Sequence, residues 1–245
     1  MKAVFWAGVG TLFPFLMTVL GAALVFLIKK QAEDGPCMGF AAGVMSAAAV
    51  FSMLLPAMRQ NEGGWLRVTL GFALGAALIA GVDAFLRGIQ RMQSVSDDAK
   101  RRMLMYAAIT LHNIPEGMAV GLAFALAGVQ GGMAGAAVLA LGIGVQNLPE
   151  GLAVALPFHA GGMSRGKSFA LGALSGVVEP IFGMLAALAM GMMRGALPGM
   201  MAFCAGAMMQ VVFAEMIPQA ARTRLGAACT MAGYTLMMAL DLALG

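Results

Sequence analysis

Apolar stretches of about 20 residues follow one another along the chain, each long enough to cross a ~30 Å hydrocarbon core as an α-helix. The pattern predicts eight spans, at 4–28, 37–58, 66–86, 102–126, 133–158, 167–193, 199–220 and 226–244. Between them stand residues that end helices or turn the chain: Glu33-Asp34-Gly35-Pro36, Asn61-Glu62-Gly63-Gly64, Gly131-Gly132 and Gly161-Gly162. The longest connection, from about Gln90 to Lys100, is polar and too short for a soluble domain, so residues 1–245 read as a single transmembrane domain. The first stretch, Ala3 to Ile28, follows one lysine as a signal peptide would. It exceeds the ~7–15-residue apolar core of such a peptide and lacks a small-x-small cleavage site, so it reads as the first span. The expected fold class is an all-α integral membrane protein.

Composition agrees. Hydrophobic residues make up 61% of the chain and charged residues 11%, against about 25% charged in a soluble domain. The net charge of +4 comes from basic residues scattered at the loops, with no interleaved aromatics. That argues against a nucleic-acid partner and for loops facing an anionic leaflet. On one side fall Lys29, Lys30, Arg87, Arg91, Lys100, Arg101, Arg102, Arg165, Lys167, Arg222 and Arg224, eleven in all. The other side holds four, Lys2, Arg59, Arg67 and Arg194. The positive-inside rule then places both termini outside the cytoplasm and the 87–102 loop within it. Cys37, Cys204 and Cys229 form no CxxC pair and read as core residues rather than a disulfide framework or thiolate site. The 24 methionines are unclustered and read as packing, not as soft-metal ligands.

Two internal repeats change the picture. His112-Asn113-Ile114-Pro115-Glu116-Gly117-Met118-Ala119-Val120 in span four matches Gln146-Asn147-Leu148-Pro149-Glu150-Gly151-Leu152-Ala153-Val154 in span five. More weakly, Phe40-Ala41-Ala42-Gly43-Val44-Met45, ending in Pro56, matches Phe203-Cys204-Ala205-Gly206-Ala207-Met208, ending in Pro218. Each pair lies on spans that cross in opposite directions, and inverted repeats with interrupted helices mark transporters rather than enzymes.

The paired motif carries metal chemistry. Residues four apart share a helix face, so His112 projects with Glu116, and Gln146 with Glu150. Asn113 and Asn147 flank the same glutamates. Packed face to face, the two helices converge two carboxylates, an imidazole and three amide oxygens, a set suited to zinc, with two adjacent sites feasible. Pro115 and Pro149 lack N–H groups and free the carbonyls of Leu111 and Val145, which predicts a kink beside the carboxylates. Two further acids, Glu179 before Pro180 and Glu215 three residues before Pro218, lie within spans, where ionisable groups face the bundle interior or a wet cavity. An isolated Asn or Gln in a span is ordinary interhelical glue. Costly acids recurring beside proline in duplicated frames are not. Asp83 and Asp241 lie nearer span ends, and His159 ends span five beside a loop, so none of the three enters the core set.

His112-Asn113-x-Pro115-Glu116-Gly117 and Gln146-Asn147-x-Pro149-Glu150-Gly151, with Glu179-Pro180 and Glu215-x-x-Pro218 in order, resemble the signature helices of the ZIP (Zrt/Irt-like) metal transporters, nearest the GufA-like prokaryotic branch. The resemblance implies eight helices in a 3+2+3 inverted-repeat bundle and a binuclear site. One ion would be held by His112, Glu116, Gln146 and Glu150, and a second by Asn113, Glu116, Asn147, Glu150 and Glu179, with Glu116 and Glu150 bridging. It further implies a pathway past Met45, Ala48 and Ser52, and an elevator-like slide of spans one, four, five and six against two, three, seven and eight in a homodimer. Asn147 stands where some relatives have aspartate, Ala214 where some have a metal-binding side chain, and Asp83 has no histidine near it in the sequence. The expected substrate is Zn2+, with Cd2+, Fe2+ and Mn2+ as alternatives, moved into the cytoplasm across a prokaryotic inner membrane. The competing class is an intramembrane metal-dependent hydrolase. His112 and Glu116 make HxxxE rather than HExxH, without the second histidine such a site needs.

Overall fold

A computed structural model describes residues 2–27, 34–59, 65–92, 98–192 and 194–244. Eight long helical segments follow one another there, and no strand occurs among the described residues. The first, α1, is Lys2–Ala23 extended by a 3-10 turn, Leu24–Phe26. α2 is α-helical over Asp34–Ala47, π-helical over Ala48–Leu54 and α-helical again over Leu55–Arg59. Three unbroken helices come next: α3, Trp65–Met92; α4, Asp98–Gln130; and α5, Met133–Ala160. α6 has two halves, Arg165–Ser175 and Val178–Met192, parted at Gly176 and Val177. α7 comprises Leu197–Val211, a π segment Val212–Met216 and Ile217–Ala220. α8 is Arg224–Leu244.

Seven of these segments, all but α4, are long and apolar enough to cross a membrane. α4 is the longest, at 33 residues, but His112, Asn113 and Glu116 lower its apolarity. Its polar run is the motif that the hydropathy pattern surrounds. Several helices outrun their expected limits: α3 continues to Met92, and α4 extends from Asp98 to Gln130. The turn expected at Glu33 to Pro36 is helical from Asp34, with Pro36 in the first turn, where its missing N–H costs little. The expected Asn61-Glu62-Gly63-Gly64 turn, Lys29, Lys30 and the middle of the 87–102 loop lie outside the described residues.

Proline acts elsewhere than the sequence pattern indicates. α4 and α5 continue as α-helix through Pro115 and Pro149. The irregular backbone falls before three other prolines: the π segment before Pro56, the π segment before Pro218, and the break before Pro180. In both π segments a donor binds five residues back, Leu55 to the Val50 carbonyl and Ile217 to the Val212 carbonyl, one residue short of the proline. The weaker sequence repeat thus marks the same backbone irregularity twice.

Side-chain to backbone bonds hold neighbouring helix ends together. Arg165 Nη1 donates to the Phe26 carbonyl at 3.0 Å, joining the start of α6 to the end of α1. Arg67 Nη1 donates to the Gly195 carbonyl at 2.8 Å, joining the start of α3 to the 3-10 turn, Arg194–Ala196, that precedes α7. Helix contacts fall into two groups. α1 packs on α4, α5 and α6, and α4 on α6; separately, α2 packs on α8, and α3 on α7. Within each group the backbones touch. A Cβ on Gly21 would strike the Leu148 carbonyl, one on Gly151 the Thr18 carbonyl, and one on Gly117 the Glu179 backbone. Likewise Gly75 abuts the Phe203 carbonyl, and Gly43 the Thr230 carbonyl. Such close approach is how membrane helices gain van der Waals energy where lipid offers no hydrophobic drive. Across the groups the contact is looser in kind: Gly142 of α5 faces the side chains of Met237 and Val44. The outer faces carry leucine stripes, including Leu12, Leu16 and Leu20 on α1 and Leu70, Leu74 and Leu78 on α3. Exposed apolar rows of this extent belong against lipid.

Candidate metal centre

The two motif helices meet where the repeat places them together. Gln146 Nε2 on α5 donates to Glu116 Oε1 on α4 at 2.6 Å, and both side chains are fully buried. One residue on, Asn147 Nδ2 donates to Glu179 Oε1 of α6 at 3.0 Å and approaches the Pro14 carbonyl of α1 at 3.4 Å. Asn113 Nδ2 donates to the Ser175 carbonyl at 3.2 Å. That carbonyl is free for a local reason. Pro180 has no N–H for the Gly176 carbonyl, which takes the Glu179 N–H instead, at 3.0 Å, and Ser175 loses its helical donor. The break in α6 therefore carries Glu179 into the site and orients Asn113.

Among the described residues, seven buried side-chain polar atoms find no hydrogen-bond partner, and six belong to expected ligands. They are His112 Nε2, Asn113 Oδ1, Glu116 Oε2, Gln146 Oε1, Asn147 Oδ1 and Glu179 Oε2; the seventh is Ser168 Oγ. The pattern is directional. Each amide uses its N–H toward protein and leaves its oxygen bare, and each of the two buried carboxylates has one oxygen engaged and one bare. Buried polar groups are ordinarily satisfied, so five bare oxygens gathered on α4, α5 and α6 suit a cation. Glu150 is half-buried, one turn beyond Gln146 on the same face of α5. Three acids in a membrane interior without compensating charge are costly, and a divalent cation is the matching counter-charge.

His112 also faces two acids outside the quartet expected for it. Its Nε2 lies 3.7 Å from Asp83 Oδ1 and its Nδ1 lies 3.7 Å from Glu215 Oε2. The ring thus bridges α3 and α7. Ligand atoms of Asp83, His112 and Glu215 all lie within 4.8 Å of one another, a second grouping able to hold a metal ion. Asp83, set aside in the sequence reading as close to a span end, is buried and also pairs with Arg87 at 3.3 Å. The histidine missing beside it in the sequence reaches it from another helix.

Thr18 is a second residue that the sequence left unmarked. Its Oγ1 donates to Glu179 Oε1 at 3.1 Å. A threonine in an apolar span carries no charge or motif; only its place four residues after Pro14 sets it apart. Of the lower-ranked pathway residues, Met45 is buried on α2 and Glu215 sits in the π segment of α7. Ser52, in the π segment of α2, shares its hydroxyl between both Asp241 oxygens, each at 2.8 Å. Ser52 and Asp241 line a cavity of about 350 Å³ together with Phe51, Arg59, Leu139 and Met201.

An all-helical, multi-pass membrane protein that gathers carboxylates, an imidazole and bare amide oxygens on a repeated helix pair is a cation-handling membrane protein. The chain belongs to the ZIP family of zinc transporters: the model of the family described as ZIP Zinc transporter matches residues 87–241. The chain is similar to zinc transporter GufA of Myxococcus xanthus, with 33% identity covering 93% of this chain and 94% of that protein. It is also similar to zinc transporter ZIP11 of Homo sapiens, at 32% identity over 100% and 98% of the two chains. Zinc transporter ZIPB of Bordetella bronchiseptica shares 36% identity over 94% of this chain and 79% of its own. The family is one of transporters, and the hydrolase reading falls away.

Proposed function

We propose that this protein moves divalent transition-metal ions, zinc foremost, into the cytoplasm through a site centred on Glu116 and Glu150. The observation that carries the reading is the cluster of bare acceptor oxygens on Asn113, Glu116, Gln146, Asn147 and Glu179. The donor set is mixed nitrogen and oxygen, which suits Zn2+ and admits Cd2+, Fe2+ and Mn2+. Magnesium sheds water reluctantly and is disfavoured. In this reading one ion rests on His112, Glu116, Gln146 and Glu150. A second rests on Asn113, Glu116, Asn147, Glu150 and Glu179, and the neutral Asn147 makes the second place the weaker. His112 turns between the first set and the Asp83–Glu215 pair, handing the ion toward the end of the molecule that holds Arg87.

Residues 1–245 form one transmembrane domain of eight spans in a 3+2+3 inverted repeat, with both termini outside the cytoplasm of a prokaryotic cell. α1, α4, α5 and α6 slide as a body against α2, α3, α7 and α8. The division of backbone-close glycine contacts supports this, since they lie within the two groups while side chains meet between them. Assembly as a homodimer in the inner membrane follows from the family likeness and the compact loops. The test is zinc uptake into proteoliposomes by Glu116→Ala and Glu150→Ala. Uptake should fall at least about tenfold in each, the effect of ~1.4 kcal/mol or more. Wild-type uptake in both would remove the site.

A further inference from the structure

The metal centre leaves unused a groove on the lipid-facing surface, where α3 and α7 meet α4. Its volume is about 590 Å³, within the ~300–1,000 Å³ of pockets that take organic ligands. Leu70, Leu74, Met118, Met200 and Phe203 make it apolar. Gly71, Gly195, Ala196 and Gly199 keep it hollow, and Arg67 stands at one end. We propose that this groove binds one membrane phospholipid, its phosphate on Arg67 and one acyl chain laid along Leu70, Leu74 and Phe203 to Met118.

Three observations select that occupant. The first is depth. Trp65, 75% exposed at the start of α3, has the amphipathic ring that collects at the headgroup level, and Arg67 is two residues further on. The second is charge. Arg67 Nη1 is pinned to the Gly195 carbonyl at 2.8 Å, which holds the guanidinium in place while its remaining donors stay available. A fixed cation at the headgroup end of an apolar groove matches an anionic head joined to a hydrocarbon tail. The third is reach. Met118 lies two residues beyond Glu116 on α4, whereas the groove's other apolar residues sit on α3 and α7. The tail therefore lies across the seam between the two helix groups.

The site can be filled from one of its own glycines. A Cβ on Gly199 would meet only Arg67 Cγ, at 3.6 Å, an ordinary contact, so Gly199→Leu places a side chain where the acyl chain would run. The experiment uses the full chain in phosphatidylethanolamine vesicles containing phosphatidylglycerol with a photoreactive diazirine in its acyl chain. After irradiation, labelled positions are mapped by mass spectrometry. Labelling at Leu74, Met118 and Phe203 is expected to exceed that on the open stripe Leu12, Leu16 and Leu20. Gly199→Leu should lower it to the level of the stripe, and Arg67→Gln should lower it about fivefold, the scale of one basic residue at an anionic surface. Arg67→Lys should restore most of it. Equal labelling of groove and stripe would mean ordinary bulk lipid and overturns the proposal. So does labelling unmoved by Arg67→Gln, which adds no bulk to the groove and decides the matter if Gly199→Leu fails to fold. Labelling of the stripe with none at the groove would show something other than lipid covering it and also overturn it. Labelling is read without metal, so this proposal stands or falls apart from the transport site.

Discussion

At Glu179 one absent backbone hydrogen shapes the site. Pro180 cannot donate, the Glu179 N–H goes to Gly176, and the Ser175 carbonyl is left for Asn113, whose amide oxygen then remains bare. Thr18 and Asn147 converge on the same Glu179 oxygen and leave its partner bare. A hydrogen-bonded neighbour that aims a ligand typically contributes ~10–100-fold in metal affinity. Thr18→Val keeps the side-chain shape and removes the donor. Zinc affinity of the purified protein, followed by calorimetric titration, should fall within that range, while thermal stability drops by about 1 kcal/mol. Wild-type zinc affinity in this variant would show that Thr18 is packing only.

On the scale of elements, helix contact and site geometry are one property. Gly151 lets the α5 backbone rest on the Thr18 carbonyl, and that contact sets how near Thr18 stands to Glu179. Gly151→Ala must separate α1 from α5. It should cost about 1–3 kcal/mol, as overpacking does, and should weaken zinc binding as Thr18→Val does. Gly81 on α3 is a matched control, with nothing within 4 Å of an added Cβ. Gly81→Ala should be neutral or stabilising by roughly 0.5–1 kcal/mol through helix propensity. Melting of both variants in detergent, alongside zinc titration, checks the pair; equal melting points would refute the packing account.

For the whole molecule, the question is whether the two helix groups move. Gly142 of α5 and Val44 of α2 face each other across the seam, with the Val44 Cγ1 atom 3.4 Å from an added Cβ and the flexible end of Met237 having to shift aside for it. A Val44→Cys, Gly142→Cys pair, in a background lacking Cys37, Cys204 and Cys229, should form a disulfide that halts zinc uptake until it is reduced. Undiminished uptake by fully crosslinked protein would rule out sliding along this seam.

Much of this protein is written along its chain. A bilayer has a fixed thickness, so apolar run length reports every long segment but α4, and the four-residue helical spacing puts Glu116 and Glu150 with their neighbours on paired faces. The duplicated motif marked the buried polar residues Glu116, Gln146 and Asn147 for the same reason, since helix geometry is local. What prolines do is not local. A lost N–H distorts the backbone only as far as surrounding groups can satisfy the freed carbonyl, so Pro115 and Pro149 sit in continuous helix while α6 breaks before Pro180. The direction of His112 was likewise decided in three dimensions, by acids from α3 and α7 more than 25 residues away in the chain. Thr18 and Asp83 joined the site by position alone. Hydrophobic period and spacing determine which residues share a face; only packed neighbours determine where that face points and which of its atoms are left for an ion.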